Sequence, residues 1–193
     1  MKIERLVLGP LFTNCYIISK ENKAIIIDPA DEPEKIFSAL PTINLIGAII
    51  THAHPDHLKA LPYLKNEFPK AKILLHQKDF KIFKKFLSFP KVDGFLKEGK
   101  FSISGFEFSI IWTPGHTPGS ICLLLENYLF SGDTLFADAL GRTDFPYSNK
   151  KDILKSLKKI ATLPKELLVY PGHGKPFTLG QVHGWLLRLL EGS

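Results

Sequence analysis

Thr51-His52-Ala53-His54-Pro55-Asp56-His57 brings three imidazoles and a carboxylate into adjacent positions directly after the apolar run Ile46-Gly47-Ala48-Ile49-Ile50. A short apolar run bounded by turn residues reads as a buried strand, so the motif lies on the loop at a strand end. Imidazole nitrogen and carboxylate oxygen are ligands that suit a divalent cation such as zinc, manganese or iron(II). With strand-like geometry His52 and His54 point the same way. Asp56 and His57 fall where a helix can start, so the chain's reversal aims them at a neighbouring point. Donors divided in this way suggest two metals. Three more donor stations follow, each after an apolar segment: His116 in Thr113-Pro114-Gly115-His116-Thr117-Pro118-Gly119, Asp133 in Phe130-Ser131-Gly132-Asp133-Thr134, and His173 in Tyr170-Pro171-Gly172-His173-Gly174. His76 and His183 fall outside this pattern and read as ordinary.

On these residues the chain resembles the metallo-β-lactamase superfamily, whose motif H-x-H-x-D-H is followed by a separate His, Asp and His. The resemblance runs from the N-terminal strands to about Gly180. Within the superfamily, Thr113-Pro114-Gly115-His116-Thr117-Pro118-Gly119-Ser120, Ser131-Gly132-Asp133-Thr134-Leu135-Phe136 and Gly141-Arg142-Thr143-Asp144-Phe145 are similar to the hydroxyacylglutathione hydrolase (glyoxalase II) branch. The resemblance implies a four-layer αβ/βα sandwich, two packed β-sheets with helices outside. It also implies two divalent ions, zinc foremost, with iron or manganese compatible. His52, His54 and His116 would hold the first, Asp56, His57 and His173 the second, and Asp133 would bridge them. A carboxylate suits that bridge because it has two oxygens for two ions. The implied reaction is hydrolysis of a thioester, S-lactoylglutathione or a related acylthiol, by a hydroxide shared between the metals, with Asp56 placed to orient or deprotonate the water. A thiolate leaving group needs no strong acid. Arg142 is the implied substrate residue, since a guanidinium grips a carboxylate bidentately; a structural pair with Asp144 is the other reading of it. Persulfide dioxygenases, which need one iron, share much of this wording, and lactone hydrolysis is a further alternative on the same fold. The family has Gly-Gly soon after the last motif histidine, where this chain has Leu58-Lys59-Ala60. Only one helix is expected after His173, which points to the short glyoxalase II-like members.

Length and composition agree with one soluble metallo-hydrolase domain spanning 1–193. Apolar runs fall far short of a membrane span, and the mixed-charge start Met1-Lys2-Ile3-Glu4-Arg5 resembles no secretory signal, so the expected location is the cytoplasm. The net charge of +6 is spread as lysine and reads first as a solvated surface; read as an electrostatic footprint, with no aromatic-basic recognition motif, it favours a small anionic substrate over nucleic acid. Cys15 and Cys122 sit in strand-like segments and read as reduced core fillers. Asp28, in Ile27-Asp28-Pro29, has two readings: it orients a ligand histidine, or it opens a turn before proline.

Along the chain, strands are expected near 3–8, 14–19, 23–28, 46–50, 73–76, 106–113, 120–126, 128–131 and 166–170. Helices are expected near 32–40, 58–68 and 148–163, the last stopped by Pro164, with a final one burying Val182, Trp185, Leu186, Leu189 and Leu190. The segment 78–100 is rich in Lys and Phe. Its Phe80, Phe83, Phe86, Leu87 and Phe89 read as the apolar stripe of a helix that closes the core, or alternatively as an aromatic lid.

Overall fold

Turn-punctuated apolar runs give each half of the chain its own sheet. The computed structural model describes residues 1–40 and 43–192, and the chain divides into two compact units, 1–96 and 97–193. In the first, the strands are β1 (Lys2–Leu8), β2 (Thr13–Lys20), β3 (Lys23–Ile27), β4 (Asn44–Ile49), β5 (Lys72–His76) and β6 (Gly94–Leu96), joined in sheet order as in sequence. The first three pair antiparallel through tight turns, and β3 to β6 pair in parallel. Parallel neighbours need crossovers, which here contain α1 (Pro33–Ser38), α2 (Leu61–Glu67) and α3 (Phe80–Phe86). One consequence positions the site. Because β2 runs against β3, while β4 and β5 run with it, the start of β2 and the ends of β3, β4 and β5 share one edge of this sheet. Thr13, Asp28, the 51–57 loop and Asp79 all lie there.

The second unit holds β7 (Gly99–Ile103), β8 (Phe106–Trp112), β9 (Ile121–Leu125), β10 (Tyr128–Gly132), β11 (Leu168–Pro171) and β12 (Phe177–Thr178), again in sequential sheet order. It adds α4 (Lys150–Ala161) and α5 (Leu179–Glu191). β9 is antiparallel to both β8 and β10, and β10 is parallel to β11. The ends of β8, β10 and β11 therefore face one way, and they deliver His116, Asp133 and His173. Ile153, Leu157 and Ile160 of α4 are fully buried with Leu129, Val169, Val182 and Leu186. Each such aliphatic side chain contributes about 1.5–3 kcal/mol. The side chain of Asn149 caps α4 by accepting from the Asp152 amide at 3.1 Å.

Two expectations are corrected here. In the 78–100 segment the helix is short, and of its stripe only Phe83, with Ile82, is buried; Phe80, Phe86 and Phe89 are exposed. On the final helix Val182 and Leu186 are buried, whereas Trp185, Leu189 and Leu190 are only partly so. The cysteines are as expected: both are free and buried, and burial pushes the Cys15 thiol up and that of Cys122 to about 11. Among the described residues, no helix is long and apolar enough to cross a membrane.

Candidate metal centre

In the first unit the motif loop follows β4, and its two halves separate as the sequence suggests. His54 is extended, and a single 3₁₀ turn, Pro55–His57, starts immediately after it. His52 Nε2 lies 3.1 Å from His54 Nδ1, and Asp56 Oδ2 lies 3.4 Å from His57 Nε2.

Hydrogen bonds around the loop fix which ring nitrogens carry lone pairs. Asp28, 2% exposed, accepts the Thr51 amide at 2.7 Å and the Thr51 hydroxyl at 2.6 Å. That hydroxyl has a single proton and gives it to Asp28, so at 3.1 Å from His52 Nδ1 it can only accept. His52 therefore carries its proton on Nδ1 and its lone pair on Nε2. Asp28 Oδ2 also lies 2.9 Å from His57 Nδ1, which sets the same tautomer there and leaves the lone pair on His57 Nε2. Asp28 therefore bonds the outer nitrogen of His57, the contact that the first reading of it expects. Its backbone is left-handed, with φ 52, just before Pro29.

Two further residues brace the loop. The Thr13 hydroxyl donates to Asp56 Oδ2 at 2.9 Å, and the buried Asp79 accepts the Ala53 amide at 2.8 Å. Neither is visible from the motif. Thr13 sits 43 positions from its partner, and Asp79 lies in the segment read only for its phenylalanines and lysines.

In the second unit Asp133 stands between two histidines. Its Oδ2 is 3.5 Å from His116 Nε2 and 3.6 Å from His173 Nε2. His116 Nδ1 donates to the Arg142 carbonyl at 2.9 Å, again leaving Nε2 as the lone-pair nitrogen. The Ser148 hydroxyl donates to the His116 carbonyl, and the Gly172 amide donates to the Gly132 carbonyl, which ties the His173 loop to the Asp133 strand. The Arg142 guanidinium does not reach these donors. It makes a bidentate pair with Asp144 at 3.0 and 2.7 Å and lies 4.9 Å over the Phe145 ring. The two charges reinforce each other: Asp144 raises the arginine's pKa, and Arg142 holds the Asp144 carboxyl below the usual carboxylate range. His76 accepts the Lys78 amide and serves a turn, and His183 is half-buried on α5, so neither joins a donor set.

Both sets fit divalent cations on their own chemistry. Lone-pair nitrogens and carboxylate oxygens stand at separations an ion between them would span, and the outer nitrogens of His52, His57 and His116 are held by protein oxygens.

The sequence matches the family model described as the metallo-beta-lactamase superfamily over residues 8–173. It is 32% identical to hydroxyacylglutathione hydrolase GloC of Haemophilus influenzae, over 94% of both chains. Among solved structures it is similar to BLEG-1 B3 metallo-beta-lactamase, with TM-score 0.86 and 31% identity over 95% of this chain and 97% of that one. It is likewise similar to TTHA1623 in a di-iron-bound form, with TM-score 0.84 and 33% identity over 93% and 96%.

Proposed function

The chain belongs to the metallo-β-lactamase superfamily, with its α/β sandwich fold, and from that premise we propose that it is a metal-dependent hydrolase of thioesters, with S-lactoylglutathione or a related anionic acylthiol as substrate. The observation that carries this is the likeness to a hydroxyacylglutathione hydrolase, 32% identical across 94% of both chains. Neither unit alone carries a full ligand set for two metals. The proposal is therefore that the chain works as a single domain, in which His52, His54 and His116 hold one ion, Asp56, His57 and His173 the other, and Asp133 both.

When bound, such ions polarise a carbonyl and lower the pKa of water toward neutrality. The chain's own residues then do the rest. Asp28, bonded to His57 Nδ1 and Thr51, keeps the ligand rings in one tautomer. Asp56, steadied at Oδ2 by Thr13, orients the attacking water and accepts its proton. A C–O bond forms at the thioester carbon, the C–S bond breaks, and the sulfur leaves as a thiolate that needs no strong acid. The thiolate takes the proton held by Asp56 and the new acid releases its own to solvent, so the products are a carboxylate, a thiol and one proton.

Protein purified without chelator should contain about two divalent ions per chain and should hydrolyse S-lactoylglutathione. It should consume no oxygen with a glutathione persulfide and cleave a β-lactam poorly. One tight iron per chain with oxygen uptake on the persulfide would establish the dioxygenase reading. Efficient β-lactam cleavage without thioesterase activity would also overturn the proposal.

Arg142 is proposed as the residue that meets the substrate's remote carboxylate by exchanging Asp144 for it. Only its backbone carbonyl holds His116, so the side chain can be changed without moving a ligand. Arg142→Met should raise KM for an anionic thioester, on the order of threefold to tenfold because the site is exposed and screened, and leave kcat nearly unchanged. An uncharged thioester should be indifferent. Equal losses on both substrates would make the arginine structural.

A further inference from the structure

We propose that Asp79 is a positioning residue of the metal loop: by accepting the Ala53 amide, its buried carboxylate holds His52 and His54 in their ligating orientation. This rests on the reading of 51–57 as a metal loop. Asp79 is 0% exposed, and its Oδ2 lies 2.8 Å from the amide nitrogen of Ala53, the residue between the two histidines. Asp79 ends the 3₁₀ turn Gln77–Asp79 and continues with helical backbone, φ -91 and ψ -3, into α3, so it makes no cap and its side chain reaches a loop 26 residues away. A carboxylate is costly to bury, so its place against that loop answers a demand of the loop itself.

That demand can be stated geometrically. Asp28 fastens the loop at Thr51 and at His57, near its two ends. Between those anchors the peptide joining His52 to Ala53 could still rotate, and its rotation would swing both rings. The bond to Asp79 removes that freedom before any ion arrives. The turn that presents Asp79, Gln77–Asp79, is in turn capped by the His76 ring, which accepts the Lys78 amide. The buried carboxylate also brings negative charge to the peptide that joins the two histidines, which is costly away from water and is offset when cations bind nearby.

The test is zinc titration of metal-stripped full-length protein against a chromophoric chelator. The proteins compared are wild type, Asp79→Ala, Asp79→Asn and, as a control, Asp93→Ala. Asp93 makes the same kind of bond, from its carboxylate to the Ile73 amide at 2.8 Å, but away from the loop. Zinc affinity should fall on the order of tenfold to a hundredfold in Asp79→Ala, as for other residues that orient ligands. Asn keeps an acceptor oxygen without the charge, so the loss there should be smaller, roughly threefold to tenfold. Asp93→Ala should melt earlier and bind zinc as wild type does. Asp79 variants that melt earlier yet bind zinc normally would overturn the proposal. If Asp79→Ala does not fold, Asp79→Asn decides: unchanged affinity in that folded variant overturns it. Wild-type protein that binds no divalent ion would refute the metal-loop reading itself, a failure visible before any substitution is made.

Discussion

Asp133→Ala is expected to abolish thioester hydrolysis and to lower the metal content of the purified protein. The carboxylate stands 3.5 and 3.6 Å from Nε2 of His116 and His173, so it is the anion among the second unit's proposed donors. Removing it leaves two neutral imidazoles, which cannot balance the charge of a divalent ion alone. Correctly held ions supply several kcal/mol of transition-state stabilisation, so kcat/KM should fall on the order of a thousandfold or more. Asp133→Asn keeps the shape and loses the charge, and it should fall nearly as far. His183→Ala, on α5 and outside both donor sets, should stay near wild type. Elemental analysis alongside the kinetics separates the cases: lost activity with full metal content would give Asp133 a role in the chemistry other than ligation. Equal effects at positions 133 and 183 would sink the ligand assignment.

The donors were legible because each ends an apolar run, and a loop at a strand end is where a rigid sheet can present a side chain. The division of the motif into two pairs was legible too, since Pro55 fixes where the extended chain gives way to the 3₁₀ turn. What escaped was whatever depends on distant pairing. Thr13 and Asp79 reach the loop only because β2, β4 and β5 share a sheet edge, and no local pattern announces that. The short strands Gly94–Leu96 and Phe177–Thr178 carry too few residues to display alternation. The phenylalanine stripe failed for a geometric reason. The helix is only the seven residues Phe80–Phe86 and the chain is extended again at Leu87, so Phe89 lies beyond it, while Phe80 packs on Phe95 at the surface. The tautomers of His52, His57 and His116 were likewise invisible, because the oxygens that set them come from Thr51, Asp28 and a backbone carbonyl at position 142.

Gly141→Ala should be nearly as damaging as loss of a ligand, although residue 141 bears no chemistry. A Cβ at this position would overlap the Asp133 carbonyl oxygen and would come within 3.0 Å of His116 Cβ and Cγ. Backbone atoms cannot yield as the tip of a flexible side chain does. The Asp133 carbonyl would have to retreat by roughly an ångström or more to restore ordinary contact distances. That displacement falls between the two residues whose side chains stand 3.5 Å apart as donors. It also falls beside Arg142, whose carbonyl sets the His116 tautomer. Overpacking of this kind costs about 1–3 kcal/mol of stability, but a misplacement of about 1 Å at a reacting centre costs on the order of a hundredfold in rate. Activity and metal affinity should therefore fall far more than the melting temperature. Gly105→Ala is the matched control. Its φ of +91 makes any side chain strained, yet nothing lies within 4 Å of the added carbon. It should lower stability by about 1 kcal/mol and leave kcat and metal content unchanged. If Gly141→Ala instead behaves like Gly105→Ala, His116 and Asp133 tolerate displacement, and the rigidity claimed for this half of the donor set is wrong.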